Sequence, residues 1–143
     1  MFLSAFLYLC GCGGSDDDPG DTTDTIEENE IPATLTNIQQ EVFTPSCSQS
    51  ACHGASAGGD LDLTSAATSY SELVNVGAFQ TNAAARGKIL VIPGDPDNSF
   101  LIQKLDGTLE SDEGEVMPRA TSGLSRAKID LVRQWISDGA LND

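Results

Sequence analysis

The stretch PSCSQSACHGA, residues 45 to 55, holds two cysteines and the chain's only histidine, with Cys47, Cys52 and His53 inside seven consecutive positions. A Cys-x-x-Cys-His run attaches haem covalently: the two thiols form thioethers and the histidine binds iron. Here four residues, SQSA, separate the cysteines instead of two. Residues three apart on a helical turn face one side, which suits two vinyl groups on one porphyrin edge. The two extra residues must then loop out, and SQSA is small and polar enough to do so. A second reading is a Cys47–Cys52 disulfide in an oxidising compartment. Zinc is a third: Cys47, Cys52 and His53 supply three ligands, and no fourth Cys or His follows.

Upstream of this stretch lies an apolar run, MFLSAFLYLCGCGG, too short to span a bilayer as a helix. It reads as the core of a secretory signal that lacks a basic n-region. LCGC resembles a bacterial lipobox, so residues 1–12 read as a lipoprotein-type signal peptide and lipobox, cut before Cys12, which becomes the lipidated first residue of the mature protein. LYLC, with Cys10, is the poorer match. Residues 13–33 carry eight acidic side chains and almost no large apolar ones. Such a segment buries too little to offset its ordering entropy, so it is expected to be a disordered acidic tether. Gly13 rather than Asp follows the cysteine, as in outer-membrane lipoproteins. The expected location is extracytoplasmic, periplasm or cell surface, with membrane attachment through the lipid.

The whole chain has 7 basic and 22 acidic residues, a net charge of −15. Without the tether acids the remainder is still acidic, which argues against nucleic-acid binding. The charge favours a basic-surfaced partner.

Residues 34–143 read as a small all-α domain of short helices joined by Gly/Pro loops. In TNIQQEVFTP, Thr36 and Gln39 have capping-box spacing, Ile38 and Val42 share a face, and Pro45 is expected to stop the helix. TSAATSYSELVNVG places Tyr70, Leu73 and Val74 on one side and ends at Gly77. DPDNSFLIQKLDG has Asp97 or Asn98 as cap, Leu101, Ile102 and Leu105 as the apolar face, and Gly107 as terminator. The last helix is the most regular: Ser125 caps it, Ile129, Leu131, Val132, Trp135 and Ile136 share half the wheel, and Gly139 closes it. KILVIPG (88–94) is expected to be extended without building a sheet.

A haem in an electron carrier needs two axial ligands. With one histidine, a bis-His site within one chain is ruled out. Met1 leaves with the signal, so Met117, in the polar loop GEVMPRA, is the one thioether of the mature chain. On these residues alone, iron ligand and surface methionine are both open. Trp135 is read as core. Arg86 and Lys88 are read as solvated loop charges, with haem propionates as their other use. The ring N–H of His53 is expected to donate to a carbonyl of the 58–63 loop.

The blocks CHGASAGGDLDLTSAA, VIPGDPDNSFLIQKL and VMPRATSGLSRAKIDLVRQWISDGA, in this order, resemble the planctomycete-type cytochrome c domain. That family runs through Cys-His-Gly, Gly-Gly-x-Leu-x-Leu, a Pro-Gly-x-Pro segment, a Met-Pro loop and a closing helix with Trp-Ile-x-x-Gly-Ala. The resemblance covers roughly Val42 to Ala140. It implies an all-α cytochrome c-like fold around one covalent haem c, with Cys47 and Cys52 as thioether donors, His53 as proximal and Met117 as distal iron ligand. It further implies an electron carrier rather than an enzyme, working with a redox protein or a larger respiratory or oxidoreductase complex. The alternatives are a haem enzyme or sensor with an open distal position, and a haem-free, disulfide-containing interaction module.

Overall fold

The computed structural model describes residues 30–55, 58–119 and 121–143. The leader with Cys10 and Cys12, and the tether up to residue 29, lie outside the described residues. No described helix is long and apolar enough to cross a membrane.

The chain enters through Thr34, whose hydroxyl accepts from the Asn37 amide at 3.2 Å and caps α1 (Leu35–Ile38). The helix widens into a π-helical turn, Gln39–Phe43, and continues as the short α2 (Thr44–Ser46). The start therefore lies two residues before the expected cap. Thr36 is inside the helix, and its hydroxyl donates to the Asp143 carbonyl at 2.7 Å. Gln39 closes no capping box: its amide is buried, donating to the Leu63 carbonyl at 2.9 Å and accepting from the Ser69 hydroxyl at 2.8 Å.

Pro45 does not stop the helix; it sits in the first turn of α2. Proline has no N–H for the Glu41 carbonyl one turn back. That carbonyl instead accepts from Lys128 Nζ of the last helix at 2.5 Å.

Ser65 caps α3 (Ala66–Leu73), accepting from the Thr68 amide. This helix ends at Leu73, short of Gly77, because Val74 is extended and Asn75 turns left-handed at φ 59°. Val74 then pairs with Val91 and Gly77 with Ile89 as isolated bridges, so the KILVIPG segment is extended without forming a sheet, as expected. A further short helix, α4 (Thr81–Ala85), begins where the Gln80 side chain accepts from the Ala83 amide at 2.7 Å.

The cap position of α5 (Phe100–Asp106) is Ser99 rather than Asp97 or Asn98. The Ser99 hydroxyl turns away from the helix, donating to the Asp95 carbonyl and accepting from the Ile92 amide. Gly107, left-handed at φ 81°, ends α5 as its sequence position predicts.

The final helix α6 (Arg126–Ser137) follows the sequence reading closely. Ser125 caps it, and Ile129, Val132, Trp135 and Ile136 are buried. Each such side chain contributes roughly 1.5–3 kcal/mol by leaving water. Trp135 is a core residue, with its indole N–H donating to the Leu141 carbonyl at 2.8 Å. α1 packs on α3 and α6, and α5 packs on α6. The far C-terminus completes the α1 end: Asp143 accepts from the Leu35 amide at 2.9 Å and the Thr36 amide at 3.0 Å. The described chain is thus mostly helical and all-α.

Candidate functional site

The six residues from Cys47 to Cys52 form a closed loop at the end of α2. The Phe43 carbonyl accepts from both Cys47 N–H at 2.8 Å and Ser48 N–H at 2.9 Å. The second of these bonds is a wide i→i+5 closure at the C-terminal end of α2. Cys52 N–H donates to the Gln49 carbonyl at 2.8 Å, making a tight turn through Ser50 and Ala51. His53 N–H then returns to the Cys47 carbonyl at 3.0 Å. SQSA is the bulge that the spacing requires, and it delivers His53 beside Cys47.

Two glycines make the return possible. A Cβ on Gly58 would lie 2.2 Å from the Cys52 carbonyl oxygen, and a Cβ on Gly54 would lie 3.0 Å from two carbonyls of the bulge. Beyond them, Leu63 N–H donates to the His53 carbonyl at 2.8 Å, while the Leu63 carbonyl accepts from Gln39. Here the geometry departs from expectation. The 58–63 loop holds His53 by its backbone, and among the described residues the buried ring nitrogen Nδ1 has no hydrogen-bond partner.

Cys47 and Cys52 are both free thiols. Cys47 is buried and Cys52 exposed. Burial, reinforced by the neighbouring Cys52 and opposed by the Lys128 charge, pushes the Cys47 thiol from 9.0 up to about 11. Among the described residues, no group of three or more His, Cys, Asp and Glu side chains comes together in a metal-binding arrangement.

Cys47, His53 and Met117 all line one cavity of about 410 Å³. This is within the range of cofactor-sized pockets. Its walls are apolar: Phe43, Leu61, Leu63, Leu73, Leu90, Phe100, Leu101 and Leu105. A second space of about 250 Å³, lined by Cys47, Cys52, His53, Met117 and Arg119, adjoins it through shared residues. Cys47 thus lines both spaces and Cys52 only the smaller one, with His53 and Met117, which come from segments far apart in sequence, lining both.

Met117 is half-buried and packs against the core. Its amide donates to the Lys104 carbonyl at 2.8 Å, which ties the Met-Pro loop to α5. The same lysine's ammonium donates to the carbonyls of Glu113 at 2.7 Å and Glu115 at 3.1 Å.

Glu113 is a feature that the sequence reading missed. Its side chain is completely buried, and it accepts from Lys88 Nζ at 2.6 Å, Arg86 Nη1 at 3.3 Å and the Glu110 amide at 3.0 Å. Burial raises its carboxyl, but the Lys88 hydrogen bond, the Glu110 amide and the charges of Lys88 and Arg86 outweigh that and hold it below the ordinary carboxylate range. Lys88 is therefore a partly buried partner of Glu113 rather than a solvated loop charge, while Arg86 stays exposed and pairs with Glu113 and Asp112; neither lines the cavity. The cations that do reach the cavity are Lys104 and Arg119. Arg119 also pairs with Glu115.

No protein-family model, no curated protein and no solved structure matches the chain. The donor set itself therefore has to be asked what it fits. The Cys47 thiol, an imidazole and a thioether on a mostly apolar cavity with Lys104 and Arg119 at its polar part, and the Cys52 thiol on the adjoining space, fit a flat, mostly apolar cofactor bound through sulfur and nitrogen.

Proposed function

We propose that this domain is a single-haem c-type electron carrier of the planctomycete cytochrome c kind, tethered to a membrane through a lipidated Cys12. The observation that carries the reading is the convergence of Cys47, His53 and Met117 on one apolar cavity, with Cys52 on the adjoining space. Sulfur, imidazole and thioether donors fit haem c: Cys47 and Cys52 would hold it through thioethers, and His53 and Met117 would ligate its iron. When bound, haem supplies a reversible one-electron couple whose potential is raised by thioether relative to bis-His ligation.

What the chain itself does is bind, orient and exclude water. The bulge of SQSA sets the spacing of the two thiols. The Leu63 amide and the Gln39 side chain fix the backbone on which His53 sits. Lys104 fixes that of Met117. Leucine and phenylalanine side chains make most of the cavity wall apolar, which would limit solvent reorganisation on electron transfer. None of these groups moves a proton, so no general acid or base is required. The acidic surface would steer a basic-surfaced redox protein, or a site on a larger oxidoreductase complex, towards the domain.

The test is expression of the full chain with cytochrome c maturation machinery, followed by a pyridine haemochrome spectrum and an intact mass. Haem c predicts a mass increase of one haem that survives acid-acetone extraction. A chain without haem would overturn the reading.

A further inference from the structure

The loop that carries Met117 has no helix of its own, yet it is built over a buried carboxylate. We infer that Glu113 is a positioning residue for Met117, acting through Lys88 and Lys104. The inference rests on the reading of Met117 as an iron ligand.

Glu113 lies four residues before Met117 and is the one acidic side chain in the run LESDEGEV that is fully buried. Its carboxylate takes Lys88 Nζ at 2.6 Å and folds the loop onto itself through the Glu110 amide at 3.0 Å. Its own carbonyl accepts from Lys104 Nζ at 2.7 Å. Lys104 closes the arrangement, because its backbone carbonyl accepts from the Met117 amide at 2.8 Å. One lysine thus grips the loop on both sides of Gly114.

The space there is tight. A Cβ at Gly114, where φ is +86°, would lie 3.2 Å from Lys104 Nζ. Both ammonium groups also approach the ring of Phe100, a cavity wall, at 5.3 Å for Lys88 and 5.4 Å for Lys104. Cation–π attraction from both lysines ties the charge cluster to the wall of the cavity. A carboxylate buried with two cations serves general stability equally well; what marks this one is that the same residue's backbone carbonyl accepts from Lys104 Nζ, and the Lys104 carbonyl in turn accepts from the Met117 amide.

The test compares wild type, Glu113→Gln and Lys104→Leu in the full chain after haem maturation. The readouts are the ferric methionine–iron charge-transfer band and amide hydrogen exchange at Met117 and His53. The expected result in both variants is covalent haem at wild-type yield, loss of more than half of the band, and at least tenfold faster exchange at the Met117 amide with His53 unchanged. An unchanged band, or equal acceleration at both amides, overturns the positioning role and assigns Glu113 to general stability. Should Glu113→Gln fail to accumulate, Lys104→Leu decides on the same readouts. Wild type with haem but no methionine band overturns the ligand reading itself, which is distinguishable because the Met117 exchange comparison is made without reference to the band.

Discussion

The amide of His53 donates to the carbonyl of Cys47 at 3.0 Å, across a six-residue turn that the Cys-x-x-Cys-His pattern does not contain. This bond brings the histidine's backbone to the first cysteine despite the two additional residues, which is what the proposed haem site asks of the longer spacing. The glycines that follow protect it from steric conflict.

Gly58→Ala should break this arrangement. Its Cβ would lie 2.2 Å from the Cys52 carbonyl oxygen, whereas a Cβ at Gly77 meets nothing within 4 Å. Haem attachment, measured as the holo fraction by intact mass, should fall several-fold in Gly58→Ala and stay at the wild-type level in Gly77→Ala. Equal yields in the two variants would contradict the account of the loop.

Before haem is attached, the two thiols should differ in reactivity. The thiolate is the nucleophile, and Cys47 is buried with its thiol pushed up to about 11 while Cys52 is exposed. Iodoacetamide at pH 8 should alkylate Cys52 at least tenfold faster than Cys47, as read by peptide mapping. The folded state holds the Cys47 proton more tightly than the unfolded state does. Stability of the haem-free chain should therefore be constant below the ordinary thiol value of 9.0 and decline as pH rises towards about 11. A Cys47→Ser variant should lack that decline.

Replacing Met117 should leave attachment intact and change the iron. Met117→Ala should retain the covalent haem mass, lose the methionine–iron charge-transfer band and shift the reduction potential down by on the order of 0.1 V. Unchanged spectrum and potential would remove Met117 from the site.

Glu113→Ala should destabilise the domain, because it leaves Lys88 and Arg86 without their shared carboxylate. A Tm lower by about 10 °C is expected by differential scanning calorimetry. The carboxyl is held below its ordinary 4.5 by its cationic partners. The stability it contributes is therefore full above that value and is lost as pH falls through the lower folded value. The acid limb of the wild-type stability profile should be shallower in the variant.

How far the sequence reached differs between elements. Helix α6 was legible from Ser125 to Gly139 because its cap and apolar stripe are local and agree. The same logic failed at α1, where Thr34 and Thr36 are equivalent locally; the choice depends on Asp143, which engages Thr36 from the far end of the chain. Pro45 misled because the partner that makes it tolerable, Lys128, lies on another helix. Cys47, Cys52, His53 and Met117 stood out because each is chemically rare in this chain. Glu113 could not, being one acid among several in LESDEGEV, and its cations Arg86 and Lys88 come from a different loop. The ring of His53 was assigned a carbonyl of the 58–63 loop, but that loop meets the main chain instead: the Leu63 amide donates to the His53 carbonyl, and the Leu63 carbonyl accepts from Gln39.

The most direct test of the central claim is the intact mass of the full chain produced with cytochrome c maturation machinery, combined with the haemochrome spectrum. One haem joined through both Cys47 and Cys52 predicts a mass gain of a single haem and the absorption of a bis-thioether haem c. A single thioether would show as a red-shifted haemochrome band and would contradict the closed SQSA bulge as a two-point attachment. A chain of unmodified mass with no Soret absorbance would contradict the haem site altogether.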